Sequence, residues 1–197
     1  MSSEAQKINH SLHTWFKSGF TTKFPEKIKT WQFYKQNDSG ITNEQFKHSY
    51  EAWKYICQQY EMNDHENAFV DYFWSIRNMH MPIWPLAKLA EFAPKSNLIH
   101  SISTGYAGYL GSLIKHKYKT PFIITEHGIY TKERRIDLLD NYWLEKKVNQ
   151  LLHDPTETSY LKLIWIQFFE ALAKMAYDDA HRIVSLFPGY RELQIQD

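Results

Sequence analysis

The chain holds one cysteine, Cys57, so no intrachain disulfide can form and the sequence suits a reducing compartment. It lacks a signal peptide: residues 1–18 are polar and carry His10 and His13 where an apolar core would stand. No apolar run approaches the length of a membrane span. These absences lead to the expectation of a cytoplasmic protein with no direct membrane span. Charge of one sign is also missing. A formal net charge of +1 over 197 residues leaves no global field to select nucleic acid. The ten histidines are scattered, and His10-x-x-His13 has no carboxylate or cysteine at ligand spacing, so neither a metal site nor a cofactor is indicated. There is no internal repeat and no low-complexity linker.

Aromatic residues are abundant: 7 Trp, 13 Tyr and 12 Phe. They can fill the core of one domain or a little more, with some rings left for surfaces. The first half reads as helices. Residues 4–18 place Leu12, Trp15 and Phe16 on one face and stop at Gly19. Lys23 to Asn37 is basic and aromatic, a loop or short helix, followed by a turn at Asp38-Ser39-Gly40. Thr42-Asn43-Glu44-Gln45 is a capping box. The helix it opens aligns Phe46, Tyr50, Trp53, Ile56, Cys57 and Tyr60 on a single face and stops at Asn63-Asp64. Asn67 to Met79 is apolar widely enough to be mostly buried. Pro82 and Pro85 break or kink the next segment, and a short helix spans Leu86 to Phe92. Met79 and Met81 near Trp84 read as packing.

The organising stretch runs from Leu98 to Arg135. Two short apolar runs, Leu98–Ile102 and Phe122–Thr125, flank a helical run, and each ends in polar residues and a glycine. That predicts a strand–helix–strand unit with parallel strands. A right-handed crossover puts both strand C-termini on one edge, where open α/β sheets bind ligands. Ser101 to Gly105 and Glu126 to Gly128 are therefore expected side by side. Gly105, Gly108 and Gly111 recur every third residue of the intervening helix. Glycine weakens a helix, so they imply close approach to the sheet or to a ligand. Lys115 to Lys119 gives the helix a basic last turn.

Ile129 to Asp140 is charged, part loop and part helix, and Tyr142 to Leu152 reads as a helix broken at His153-Asp154-Pro155. Thr158 to Tyr177 is a long helix, apolar almost all round, and is expected to be central or covered by a partner. Arg182 to Phe187 is a third strand, and after a turn at Pro188-Gly189 a last helix starts at Tyr190.

His127 is the first chemical candidate, at a strand end between Glu126 and Gly128. It is either a group facing the ligand edge or a hydrogen-bonded turn histidine. Lys132, Arg134 and Arg135 suit phosphate or carboxylate recognition, but Glu133 and Asp137 are equally able to pair with them on a solvated face. Thr104-Gly105-Tyr106 opens a helix whose free N–H groups form an anion site. The segment is not Gly-x-Gly-x-x-Gly and no Gly-Lys-Ser/Thr follows, so dinucleotide and P-loop readings are weak. Ser101-Ile102-Ser103-Thr104-Gly105 imitates a hydrolase elbow, with Ser101 replacing its first glycine. A Ser103–His127 pair would still lack the acid in its usual place.

Taken in order, these motifs resemble a known family. His100-Ser101-Ile102-Ser103-Thr104-Gly105-Tyr106-Ala107-Gly108 and Thr125-Glu126-His127-Gly128-Ile129-Tyr130-Thr131-Lys132-Glu133-Arg134 are similar to the Pel exopolysaccharide glycosyltransferases, the PelF-like members of retaining glycosyltransferase family 4. Tyr72 to Arg77 with Pro82, Leu163 to Glu170 and Asp179 to Leu186 extend the resemblance over residues 67–197. Relatives read Glu-Gly-Asn-Arg where this chain has Pro188-Gly189-Tyr190-Arg191.

The resemblance implies an α/β fold: a Rossmann-like parallel sheet with flanking helices, the partial N-terminal domain of a GT-B glycosyltransferase. A mostly helical part would span 1–95 and a Rossmann-like part 96–197. The opening strand with its Gly-Gly loop and the C-terminal donor domain with its Glu-x7-Glu carboxylates are not in the sequence. The implied activity is glycosyl transfer from a UDP-sugar, UDP-glucose by family, onto a glycan acceptor within an inner-membrane exopolysaccharide complex, with this fragment inactive alone. The resemblance carries contact with the transferred sugar or reacting centre to His127. Ser103, Thr104, Gly105, Tyr106, Glu126, Gly128, Lys132, Arg134 and Arg135 are expected to bind substrate by their place on the edge. A non-catalytic binding or assembly module with the same fold is the alternative, and a serine hydrolase through Ser103 a lesser one.

Overall fold

A computed structural model of the chain describes residues 3–19, 43–63, 67–140 and 158–196. The expected loop at Lys23 to Asn37, the turn at Asp38-Ser39-Gly40, Thr42 of the capping box, and the helix from Tyr142 to Leu152 with its break lie outside the described residues.

Helix α1 spans Ser3–Phe16 and buries Leu12, Trp15 and Phe16, the face anticipated from spacing. The single helix expected after the capping box is two, α2 (Asn43–His48) and α3 (Tyr50–Asn63). They part at Ser49, whose hydroxyl accepts from the Ala52 N–H at 3.1 Å. A serine that bonds its own backbone competes with helix continuation and restarts it as a cap. Of the expected face only Phe46 and Ile56 are buried, while Tyr50 and Trp53 are exposed. Helix α4 (Phe69–His80) buries Tyr72, Ser75, Ile76, Met79 and His80 but exposes Val70 and Trp74, so it is one-sided rather than mostly buried. Helix α5 (Ile83–Phe92) starts three residues before the expected Leu86, because Pro85 falls in the first turn, where a missing N–H costs no bond.

The α/β part follows. Strand β1 is Ile99–Ser101, α6 is Gly105–Tyr118, β2 is Phe122–Glu126 and α7 is Tyr130–Leu139. The long helix α8 is Tyr160–Asp179, β3 is Arg182–Ser185 and α9 is Pro188–Gln196. Pro188 and Gly189 form the first turn of α9 rather than a separate turn. The strands form one parallel sheet in the order β1-β2-β3, with Ile99 opposite Phe122 and Ile123 opposite Arg182.

Strand β2 alternates: Phe122, Ile124 and Glu126 are buried, and Ile123 and Thr125 are partly exposed. Helices α6 and α8 lie on the buried face. Right-handed crossovers that step in one direction across a sheet place their helices on the same side. On the other face His100, Arg182 and Val184 are exposed among the described residues. Helix α8 is central as expected, packing against α1, α4, α6, α7 and β2.

The three glycines of α6 have separate neighbours. A Cβ on Gly111 would meet the Phe122 ring at 2.6 Å, and one on Gly108 would meet Ala176 Cβ at 2.7 Å. The helix thus approaches the sheet and α8 more closely than any side chain permits. At its other end Lys115 and His116 bond to Asp179 at the end of α8. Burial pushes the Asp179 carboxyl up, but the His116 hydrogen bond and the charges of His116 and Lys115 prevail and hold it below the ordinary value.

Two histidines join α1 to α4. His80 Nδ1 lies 2.8 Å from the Ile76 carbonyl, so it carries the hydrogen and Nε2 is left to accept from His13 Nδ1 at 3.4 Å. The rings stack with centroids 5.2 Å apart. Burial lowers both pKa values, His80 to about 4, with Lys17 adding to the effect on each. Since the folded values lie below the unfolded one, the stability they contribute is complete above pH ~6.5 and declines as pH falls toward 4. Each histidine contributes a slope of about 1.4 kcal/mol per pH unit in that window. Urea unfolding at pH 7.5 and pH 5 is expected to show a loss of about 2–4 kcal/mol; equal stability at the two values would mean that the pair is not buried in its neutral form.

Candidate functional site

The C-terminal edge of the sheet gathers most of the expected site. After β1 the chain is tied into a tight bend: Ser101 Oγ donates to the Ser103 carbonyl at 2.6 Å, and Ser103 Oγ donates to the Thr104 carbonyl at 3.1 Å. Gly105 then opens α6 at φ +60°, and a Cβ there would sit 2.6 Å from the Tyr130 ring. Both conditions require glycine. Thr104 does not cap α6 with its side chain. Its Oγ1 donates to Glu126 Oε1 at 3.0 Å.

Glu126 is 2% exposed. Its Oε2 accepts from the Tyr177 hydroxyl and from Gln194 Nε2, each at 2.6 Å. Gln194 Oε1 in turn accepts from Ser185 Oγ. One buried carboxylate therefore joins the end of β2 to the start of α6, the end of α8 and α9, and through Gln194 to the end of β3. Three donors and no other acceptor suit an acceptor-only carboxylate. Glu126 was expected to touch substrate, and its geometry makes it a brace beneath the edge.

His127 follows the brace and is exposed, with no hydrogen bond or ion pair among the described residues. No hydrogen bond joins Ser103 to His127, and the Ser103 hydroxyl is directed to its own backbone. Beside Gly128 lies the Glu133 carboxylate, close enough to overlap any added Cβ. Being the end of a flexible side chain, it can move aside.

The basic residues of α7 divide. Arg134 donates from Nε to the Tyr130 hydroxyl at 3.2 Å and pairs with Asp137 at 3.4 Å, its guanidinium over the Tyr130 and Phe169 rings. The Tyr130 bond, more than its burial, holds Arg134 above its ordinary value. Arg135 pairs with Glu170 at 3.4 Å. Lys132 is half-buried on the same helix. Tyr106 packs against Phe168 and Phe169, and burial raises its hydroxyl far above the ordinary value.

These features show how the edge treats an anion. The N-terminus of α6 would attract phosphate, but the Glu126 carboxylate already lies within hydrogen-bond distance of Thr104, the residue that precedes the helix, and opposes a second negative charge. What the edge leaves open is a neutral helix start, an exposed imidazole and the half-buried Arg134.

The profile of one protein family matches residues 1–197, the whole chain. The chain belongs to the family described as Domain of unknown function (DUF3492). No curated protein and no solved structure matches it.

Three partners of the edge escaped the sequence reading: Tyr177, Ser185 and Gln194. Tyr177 offered a signal, being a hydroxyl in the last turn of a largely apolar helix. Gln194 offered none. Among the described residues no helix is long and apolar enough to cross a membrane, and no group of three potential ligands could hold a metal.

Proposed function

We propose that this chain is the acceptor-side N-terminal domain of a PelF-like, nucleotide-sugar-dependent glycosyltransferase of exopolysaccharide synthesis, acting in the cytoplasm beside an inner-membrane synthesis complex. The observation that supports it best is the adjacency of two parallel strand ends, with Ser103 to Tyr106 after β1 and the exposed His127 after β2. Open α/β sheets use this edge for ligands. A neutral, hydroxyl-bearing acceptor suits the edge better than a phosphate does, since Glu126 offsets the positive end of α6. His127 takes the role of the group that touches the transferred sugar or the acceptor hydroxyl. Arg134, held over two rings, bounds the site on the α7 side.

This reading makes the isolated chain a poor donor binder. The remaining contacts for a UDP-sugar are few, screened and opposed by Glu126, and they must offset the cost of immobilising the ligand. The expected dissociation constant for UDP-glucose is roughly millimolar or weaker, about 4 kcal/mol. Calorimetry at physiological salt measures it. Micromolar binding would put the donor site on this chain and overturn its assignment to the acceptor side.

A further inference from the structure

Helix α4 has two apolar faces, and one of them is open. Tyr72, Ile76 and Met79 are buried in the core, where Tyr72 stacks on Tyr160 of α8 at 6.3 Å. Val70, Trp74 and Met81 lie on the opposite side of the helix, at 61%, 52% and 40% exposure. Met81 continues the same surface: it caps α4 in helical geometry, and its N–H donates to the Arg77 carbonyl. Residues 70, 74, 77 and 81 thus follow the alternating four and three spacing of a helix-pairing seam. One flank of the seam is aromatic. Phe73 meets Trp74 at 5.3 Å and Trp53 of α3 at 5.6 Å, and Trp53 meets Phe69 at 5.5 Å. Trp53 is itself 45% exposed. The other flank is polar, with Asp71 and Asn78 exposed. A helix that is apolar on both sides calls for a partner on both.

The size of the patch bears on what covers it. A whole aromatic side chain presents about 150–250 Å². On that scale the exposed parts of Val70, Trp74, Met81 and Trp53, with the partly exposed Phe69, Phe73 and Arg77, make a contiguous surface of roughly 500 Å². An apolar patch of that extent on a monomer marks an interaction site. Two such patches face to face bury roughly 1,000 Å², the size at which a specific interface begins.

The order of residues along the seam identifies the partner. Read backwards, the seam complements itself: 70 falls opposite 81, and 74 opposite 77. An antiparallel pair of α4 helices sets Val70 of one copy against Met81 of the other, and Trp74 against Arg77. Arg77 is prepared for this contact. Its guanidinium lies over the Phe73 and Trp74 rings, 5.8 Å from each centre, and its NH1 donates to the Lys47 carbonyl at 2.8 Å. A cation already held in place meets a second indole at little ordering cost. A parallel pair would set Arg77 on Arg77 instead, which like charge opposes. Two-fold symmetry also returns each flank to its own kind, so the aromatic side of one copy meets that of the other. An anionic lipid surface suits the face less well, since Asp71 borders the seam and Arg77 is committed to its own rings.

We propose that the outer face of α4, with Trp53 of α3, binds a second copy of this chain as an antiparallel two-fold dimer in which Trp74 of each copy lies against Arg77 of the other. The contact is independent of the reading given to the sheet edge.

Sedimentation velocity of the full chain, from about 1 to 200 µM, tests it. The expected result is a reversible monomer–dimer equilibrium with a micromolar dissociation constant, in keeping with an interface at the lower size limit. Trp74→Lys sets a second cation against Arg77 and is expected to weaken the dimer at least about tenfold, with an unchanged melting curve. Val70→Lys carries the same test should Trp74→Lys not fold. Ile102→Lys, on the open face of the sheet, is expected to leave the dimer intact. Orientation is read by oxidative cross-linking in a Cys57→Ser background. Val70→Cys mixed with Met81→Cys is expected to give a disulfide-linked dimer. Val70→Cys alone is expected to give none, because the two copies of residue 70 lie about 16 Å apart along an antiparallel pair. A chain that stays monomeric throughout the range overturns the proposal. So does a dimer that Ile102→Lys dissolves and Trp74→Lys spares, or one that Val70→Cys alone cross-links. A monomer that pellets with phosphatidylglycerol vesicles, and fails to do so as Trp74→Lys, would overturn it in favour of a membrane contact.

Discussion

Replacing His127 by alanine, in the protein that carries this domain, is expected to lower sugar transfer about a hundredfold, the scale of one positioned group. The melting temperature is expected to stay where it is. The two halves of that expectation have separate grounds. His127 is exposed and bonded to nothing among the described residues, so truncation removes no packing and leaves no buried partner unpaired. Its backbone, by contrast, is anchored on both sides: β2 and the Glu126 brace precede it, and Ile129, the buried residue just before α7, follows two positions later. An exposed side chain on a rigid backbone is the arrangement a positioned group needs. The measurement is the initial rate of radiolabelled glucose transfer from UDP-glucose, with thermal unfolding followed by circular dichroism on the same preparations. A rate near wild type would return His127 to the class of turn histidines.

The parallel unit was legible because its signals are local. Phe122 to Glu126 alternates within one strand, glycines follow both strand ends, and handedness does the rest. The one-sided placement of α6 and α8 follows from the strand order, which the spacing of apolar runs does not state. The first half was legible as helices but not as exposures. Tyr50 and Trp53 share an ideal periodicity with Phe46 and Ile56, yet face outward: Ser49 parts Phe46 from the other three, and within α3 the buried face runs through Ala52 and Ile56. Periodicity reports which residues share a face only while the helix is continuous. For the edge, residue types do not disclose the contacts that the fold gives them. Glu126 beside His127 reads as chemistry because its partners are invisible locally: Tyr177 lies 51 residues away in the chain and Gln194 lies 68. Arg135 likewise reads as an anion ligand until Glu170, 35 residues on, is found beside it.

Glu126 gives the sharpest test of that distinction. Glu126→Ala is expected to destabilise the chain by about 3–5 kcal/mol, out of a total that for domains is roughly 5–15 kcal/mol. Removing the carboxylate takes the shared acceptor from the Thr104 and Tyr177 hydroxyls and the Gln194 amide, and it leaves a cavity where a side chain 2% exposed had stood. These losses are not additive, because the three donors share one acceptor. Glu126→Gln is expected to cost only about 1 kcal/mol. Its amide oxygen can face Tyr177 and Gln194. Its NH2 can face Thr104, whose hydroxyl rotates from donor to acceptor. Urea unfolding of the two variants separates the roles, since a substrate contact predicts that both fold normally and both lose binding, whereas a brace predicts a large stability gap between them. A loss below about 1 kcal/mol in Glu126→Ala would show that the network does not hold the strand ends together. The gap also fixes how the edge is to be probed. Glu126→Gln keeps the three elements joined while removing the negative charge that opposes an anion at the start of α6, so it is expected to tighten phosphate binding there rather than weaken it.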